Sequence, residues 1–218
     1  YAGYQTATAL TTGNSVGVAG ITIRDGAGVS DADNLGTTLT AISFTTGGST
    51  AIRTAALFDG STNVSEVAVN GGTTISFNGL NLSTADNATK DLELRVTYMA
   101  TVTDNQQIAF TVSSATASSN SSGFASANAG AASSSVTGDI NKIEVTATQL
   151  AFVQQPTNVV TFANITPAVT VSANDVNNNR DLDYVTDVSI SATGLSTSPV
   201  SATSVSGLAT FSTLSFAA

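Results

Sequence analysis

Two clusters of acidic and amide side chains hold the residue types best suited to chemistry. Asp175, Asn177, Asn179, Asp181 and Asp183 fall at alternate positions, and Asp25, Asp31 and Asp33 crowd into a second short stretch. Hard cations such as Ca²⁺ take roughly six to eight oxygen ligands, which closely spaced Asp and Asn side chains and backbone carbonyls can supply. The 175–183 stretch opens as a D-x-N-x-N calcium loop does. It lacks the glycine of the sharp turn and the closing bidentate Glu, so it is not an EF-hand. Asp and Asn also close turns with no metal at all. Calcium-stiffened loops and plain turns are therefore both open readings, and calcium is the one cofactor the residues suggest.

The rest of the inventory points away from catalysis. The chain has no His and no Cys, so Ser-His-Asp and Cys-His triads and the usual zinc sites are excluded. No phosphate-binding glycine loop precedes a helix. A carboxylate pair of the glycosidase kind would need Glu or Asp facing a common substrate. The three glutamates, Glu66, Glu93 and Glu144, each lie within or beside an alternating stretch at a polar position. Such positions read as solvated, outward-facing residues of half-buried strands. The expectation is a non-enzyme.

The elements that position these residues are strands. Apolar and polar residues alternate through Ile21–Ile23, Leu39–Phe44, Ile52–Phe58 and Leu92–Val102, and no stretch carries an apolar stripe at helical spacing. Asp59-Gly60 and Asn70-Gly71-Gly72 read as turns, the second joining Val67 and Val69 to a return strand at Ile75 and Phe77 as a hairpin. Ile108, Phe110 and Val112 run back after Asp104-Asn105, and Ile143, Val145 and Ala147 form a further strand. Ser113–Gly138 is nearly all Ser, Ala, Asn and Gly; it reads as a surface loop or as an ordered excursion pinned by Phe124. Ile21–Ile23 precedes Asp31 and Asp33 as Val169–Val171 precedes Asp181 and Asp183, a faint internal echo. The fold expected is all-β, with tandem antiparallel β-sandwich, Ig-like modules at 1–148 and 149–218. The second module breaks off in mid-alternation at Ala209–Phe216, as in an internal piece of a longer protein.

Composition narrows the setting. Only 10% of the 218 residues are charged, against about a quarter in an average soluble domain. The net charge is −9 and the six basic residues are scattered, which disfavours nucleic acid and anionic membranes as partners. No apolar run reaches the length of a membrane span. A cysteine-free β protein coated in hydroxyls fits a bacterial cell surface better than a disulfide-bearing animal secretome. Sugar-binding platforms usually present aromatic faces, yet Trp is absent, and of the four Tyr only Tyr184, beside the acidic loop, is placed as an exposed contact.

Several stretches resemble a known family. Arg24-Asp25-Gly26-Ala27-Gly28-Val29-Ser30-Asp31-Ala32-Asp33-Asn34-Leu35-Gly36-Thr37 with Leu39–Ile42, Asp104–Phe110 and the run Ile143–Pro156 are similar to modules of large repetitive surface proteins of Bacteroidota, of the gliding-adhesin type. Val169–Ile190 resembles the Ig-like repeats that follow in such proteins. The resemblance implies secretion through the outer membrane and an extracellular adhesive or filament-forming role connected with gliding motility. The partners expected are other copies, neighbouring modules, surface glycans or other cell-surface proteins. A carbohydrate-binding module of a larger secreted protein is the alternative. No functional residue carries over, because the matching positions are turns and strands.

Overall fold

The computed structural model describes residues 5–26, 32–124 and 141–217. Within them every regular element is a strand. The chain divides into two compact units, one of Tyr1–Val102 with Gln107–Ile143, the other of Thr103–Gln106 with Glu144–Ala218. The boundary expected after residue 148 therefore falls after residue 143, and residues 103–106 join the second unit.

The first unit is a sandwich of seven described strands. These are β1 (Val16–Arg24), β2 (Thr38–Thr45), β3 (Ile52–Asp59), β4 (Thr62–Ala68), β5 (Thr74–Ser83), β6 (Thr89–Tyr98) and β7 (Thr111–Ala117). One antiparallel sheet runs β1-β6-β3-β4 and the other β5-β2-β7. In β2 the buried residues are Leu39, Ile42 and Phe44, which breaks strict alternation. A register shift against β7 between Leu39 and Ala41 explains it: the extra residue in β2 turns Leu39 and Ile42, three apart, to one side. Ile42 pairs with Phe77 and Phe44 with Ile75 across the sheet, and the Phe44 and Phe77 rings meet edge-on at 6.3 Å. Tyr98 is buried in this unit, and burial pushes its phenol up to about 12, so it is neutral at ordinary pH.

Three local expectations are corrected. Asn70-Gly71-Gly72 does take positive φ at Asn70 and Gly71. It joins no hairpin, however, because β4 pairs with β3 while β5 pairs with β2, so the turn carries the chain from one sheet to the other. The turn is held by Asn70 and Gly71 N–H groups donating to Arg53 and Ile52 carbonyls. The hairpin is at Asp59-Gly60, where Asp59 pairs with Thr62. Second, β6 ends at Tyr98, short of Val102, and the strand running back does not pair with it; β7 pairs with β2. Third, Ser113–Ala117 belongs to β7, since a small polar sequence makes a serviceable edge strand when its partner supplies the large core residues. Residues 125–138 of the expected loop lie outside the described residues.

The second unit is smaller. Its described strands are β8 (Gln149–Gln154), β9 (Val169–Asn174), β10 (Asp187–Ile190), β11 (Val200–Thr203) and β12 (Leu208–Phe211), in sheets β12-β9-β8 and β10-β11. Ile165, Val169, Val171, Val188, Ala209, Phe211 and Leu214 form its core. Leu214 lies in that core, and Ser215 and Phe216 bridge to Asn164 and Leu195, so the alternation at 209–216 is one strand, a turn and a bridged segment. The echo between Ile21–Ile23 and Val169–Val171 does not extend to pairing: β1 is an edge strand and β9 is central.

Candidate functional site

The acidic stretch 175–183 folds as a loop closed on its own backbone. Asp175 Oδ1 accepts N–H bonds from Asn177 at 2.9 Å and Asn179 at 2.8 Å, while Oδ2 accepts from Asn179 Nδ2 at 3.1 Å. The Asp175 N–H donates to the Asn179 carbonyl at 2.9 Å. Asp181 does the same one turn later: Oδ1 accepts from the Asp183 N–H at 3.0 Å and Oδ2 from the Ala147 N–H at 2.9 Å. Gly207, at φ +71°, packs on this loop, and a Cβ there would collide with the Asp181 carbonyl. Asp175, Asn179 and Asp181 are buried, whereas Asp183 is exposed.

Asp104 completes this arrangement, and nothing in the sequence singled it out. It is buried, and its two oxygens accept from the Val145 and Leu182 N–H groups, each at 2.7 Å. This explains why 143–147 is no strand although Ile143 and Val145 are fully buried. Carboxylates of Asp104 and Asp181, placed at Val145 and Ala147, take over the acceptor role that a neighbouring strand would fill. The missed signal is the alternation of buried Val145 and half-buried Ala147 in a stretch with no partner strand next to it in sequence.

The first acidic stretch behaves similarly. Asp25 is buried; Oδ1 accepts from Thr37 Oγ1 at 2.7 Å and Oδ2 from the Asn87 N–H at 2.8 Å. The Thr37 hydroxyl and then the Asn87 N–H hold its carboxyl below the ordinary 3.8, against burial and the charge of Asp33, which push it up. Asp33 accepts from the Leu35 N–H at 2.8 Å and from Ser122 Oγ at 2.7 Å. Asp31 lies outside the described residues. Among the described residues, no three Asp, Glu, His or Cys side chains gather where they could hold a metal ion. In the bonds described, these carboxylates accept from N–H and O–H donors.

Of the three glutamates Glu144 is exposed, as expected of a solvated strand residue, while Glu66 and Glu93 also hold specific partners. Glu66 Oε2 accepts from the Leu10 N–H and from Asn63 Nδ2, both at 2.8 Å. Glu93 pairs with Arg95 at 2.8 Å, and Arg95 in turn donates to the carbonyls of Thr12 and Ser15 and lies 5.7 Å from the Phe58 ring centroid. Together with a bond from Arg53 to the Ala7 carbonyl, these clamp residues 7–15 over Ala56 and Phe58. Phe58 is thereby buried on what would otherwise be the open face of its sheet.

The second unit shows the opposite. Leu150 and Phe152 of β8 point toward the second sheet, lining a cavity of about 150 Å³ with Val171, Val188, Ser189 and Ile190. Both are nevertheless about half exposed, at 53% and 46%. Among the described residues β8 is the last strand of its sheet, so alternate N–H and C=O groups along it face away from β9. The stretch from Val145 to Asn174 contains no charged residue, nor does the chain after Asp187. Phe162 is also exposed, at φ +65°, held by its N–H to the Phe216 carbonyl at 2.8 Å. Tyr184, the expected exposed aromatic, packs partly onto the core instead. The alternation Leu150-x-Phe152 in an uncharged stretch is the signal from which β8 could be read.

No family model, no curated protein and no solved structure matches this chain.

Proposed function

We propose that the chain is an extracellular structural or adhesive segment of a bacterial cell-surface protein or fibre, acting by display and by protein–protein or surface contact. What carries the reading is how the solvent faces of the sheets are built. Hydroxyls pair across strands in both units: Ser43 with Ser76 at 2.9 Å, Thr38 with Ser83 at 2.8 Å, and Ser189 with Ser201 at 2.7 Å. The Thr203 hydroxyl meets Asp187 on the same sheet face as that last pair's strands. Neutral hydroxyl ladders leave a surface that does not repel a like surface, and they suit contact over many weak points. The acidic side chains described above hold the backbone, which is a structural use of charge. The resemblance to gliding-adhesin-type surface proteins points the same way.

The test is immunolabelling of intact cells that make the protein, with antibodies raised against residues 1–218. Labelling before permeabilisation is the expected result. Labelling that appears only after permeabilisation would overturn the reading.

A second reading, a carbohydrate-binding module, draws on Phe162, whose exposed ring offers a face to a sugar. Loss of glycan retention on Phe162→Ala would favour it.

A further inference from the structure

In a finished sandwich the inward side chains of an edge strand are roofed by the opposing sheet. In the second unit they are not. Leu150 and Phe152 face inward, line the cavity beside Val188 and Ile190, and are still half exposed, because the opposing described sheet has only β10 and β11. Among the described residues, no strand pairs with the outer backbone edge of the strand that carries them. Apolar side chains and open hydrogen-bonding groups therefore lie along one line, which is the chemistry that accepts an added strand.

We propose that this edge is a self-association site, and that the added strand is β8 of a second copy, paired antiparallel about a two-fold axis centred on Ala151.

Two observations select a second copy. The first is that the edge is self-complementary. With Ala151 opposite Ala151 of the other copy, Leu150 stands opposite Phe152, and Phe152 opposite Leu150. Directly opposed residues of an antiparallel pair share a face, so all four large side chains fall on the cavity side. The same patch serves both copies, as a two-fold interface requires. The register shift between Phe152 and Gln154 ends the pairing after Phe152. The second observation is charge. A chain of net charge −9 carries a like-charge penalty wherever acidic side chains of two copies are brought together. The second unit's acidic residues are Asp104, Glu144 and the four between Asp175 and Asp187, and β8 bears none. Of the cavity-lining strands only β10 has a charge, Asp187, which accepts a bond from Thr203 Oγ1 at 2.5 Å. The β8 edge is thus a place where two such chains meet without opposing like charges. The edge strands of the first unit do not combine the two features: β1 holds Arg24 and β4 holds Glu66, while β5 and β7, though uncharged, carry no exposed large hydrophobic side chain.

The pairing is short, so the association is weak, at protein concentrations on the order of 0.1 mM. It goes beyond the surface-display reading and fails separately from it: a chain that labels on intact cells yet never dimerises keeps the first and loses the second.

The experiment uses the whole 218-residue chain, which has no cysteine of its own. Mass is followed by light scattering from about 0.01 to about 1 mM, a range that brackets weak association. Three single variants accompany the native chain: Ala151→Lys, Ala151→Cys and, on the sheet's far strand, Thr210→Cys. Ala151 is partly exposed, so a lysine there fits the monomer but sets two positive charges face to face across the axis. The native chain is expected to double its mass with concentration, with little dependence on salt. Ala151→Lys is expected to stay monomeric with an unchanged circular dichroism spectrum and melting temperature. Under mild oxidation Ala151→Cys is expected to form a disulfide-linked dimer well ahead of Thr210→Cys, because residues opposed at the axis lie within disulfide reach. The cysteine arm reports on the register even if the lysine variant fails to fold. A native chain that is monomeric throughout would overturn the proposal. So would a dimer that survives Ala151→Lys, equal cross-linking at 151 and 210, or protection of β8 that appears only when another protein is added.

Discussion

The two units handle exposed apolar surface in opposite ways. In the first, the outer face of the sheet carrying Phe58 would be bare, and residues 7–15 cover it, clamped by Arg53, Asn63, Glu66 and Arg95. In the second, the inner edge carrying Leu150 and Phe152 is left half exposed. The wider pattern agrees: of the large hydrophobic side chains exposed among the described residues, all but Leu35 belong to the second unit. Apolar exposure here is therefore not a by-product of a weakly hydrophobic sequence. The same chain seals one such face with side chains that hold backbone, and leaves another open along a strand edge free of charge.

The largest expected effect comes from breaking the sealed side. Phe58→Ala removes a fully buried ring beneath Leu10 and Arg95 and should cost the first unit about 3–5 kcal/mol. Phe152→Ala, the matching truncation at the open edge, should cost the isolated chain less than about 1 kcal/mol, since the ring is already half in water. Denaturant unfolding of the two variants measures both. Equal losses would erase the contrast between the units.

Next in size is Asp104→Ala. It strips the acceptor from the buried Val145 N–H and from the Leu182 N–H, and should destabilise the second unit by about 3 kcal/mol. Asp104→Asn, which keeps one acceptor oxygen, should lose about half as much. Calorimetry that follows the second unit's transition distinguishes the two. A near-neutral Asp104→Ala would mean that water replaces the carboxylate there.

The smallest effect concerns acid. Asp25 is held below its ordinary 3.8 by Thr37 and Asn87. The folded chain therefore takes up that proton less readily than the unfolded chain. The stability this contributes is present above about pH 4 and is lost as pH falls through the lowered value. Asp25→Asn should flatten the decline in melting temperature between neutral pH and about pH 3. An unchanged decline would place the acid sensitivity elsewhere.

Much of the fold was legible because it depends on alternation. Strands of the first unit with large apolar residues, such as Leu39–Phe44 and Ile52–Phe58, could be placed, but not the facing of every residue: β2 breaks alternation and Ala55 to Phe58 are all buried. What could not be read was partnership. Asn70-Gly71-Gly72 has the chemistry of a hairpin turn, but whether its flanking strands pair or part depends on which sheet each joins, a matter of long-range packing. Ser113–Ala117 has no large side chain, so it declared itself a strand only through β2. The acidic stretches were legible as clusters and ambiguous as chemistry, since Asp and Asn spaced for a cation are also spaced to cap N–H groups. The decisive partners, Ala147, Val145 and Asn87, lie far away in sequence. Leu150 and Phe152 were visible as apolar residues, but their exposure follows from the absence of a covering strand over them among the described residues, which no local pattern records.

Among the described residues, β8 is open along its outer edge. Amide hydrogen exchange of dilute protein, read over Gln149–Gln154 and over Val169–Asn174, tests it most directly. β9, paired on both sides, is expected to be protected along its length, while the outward amides of β8 exchange orders of magnitude faster. Protection of β8 equal to that of β9 in the dilute monomer would contradict it.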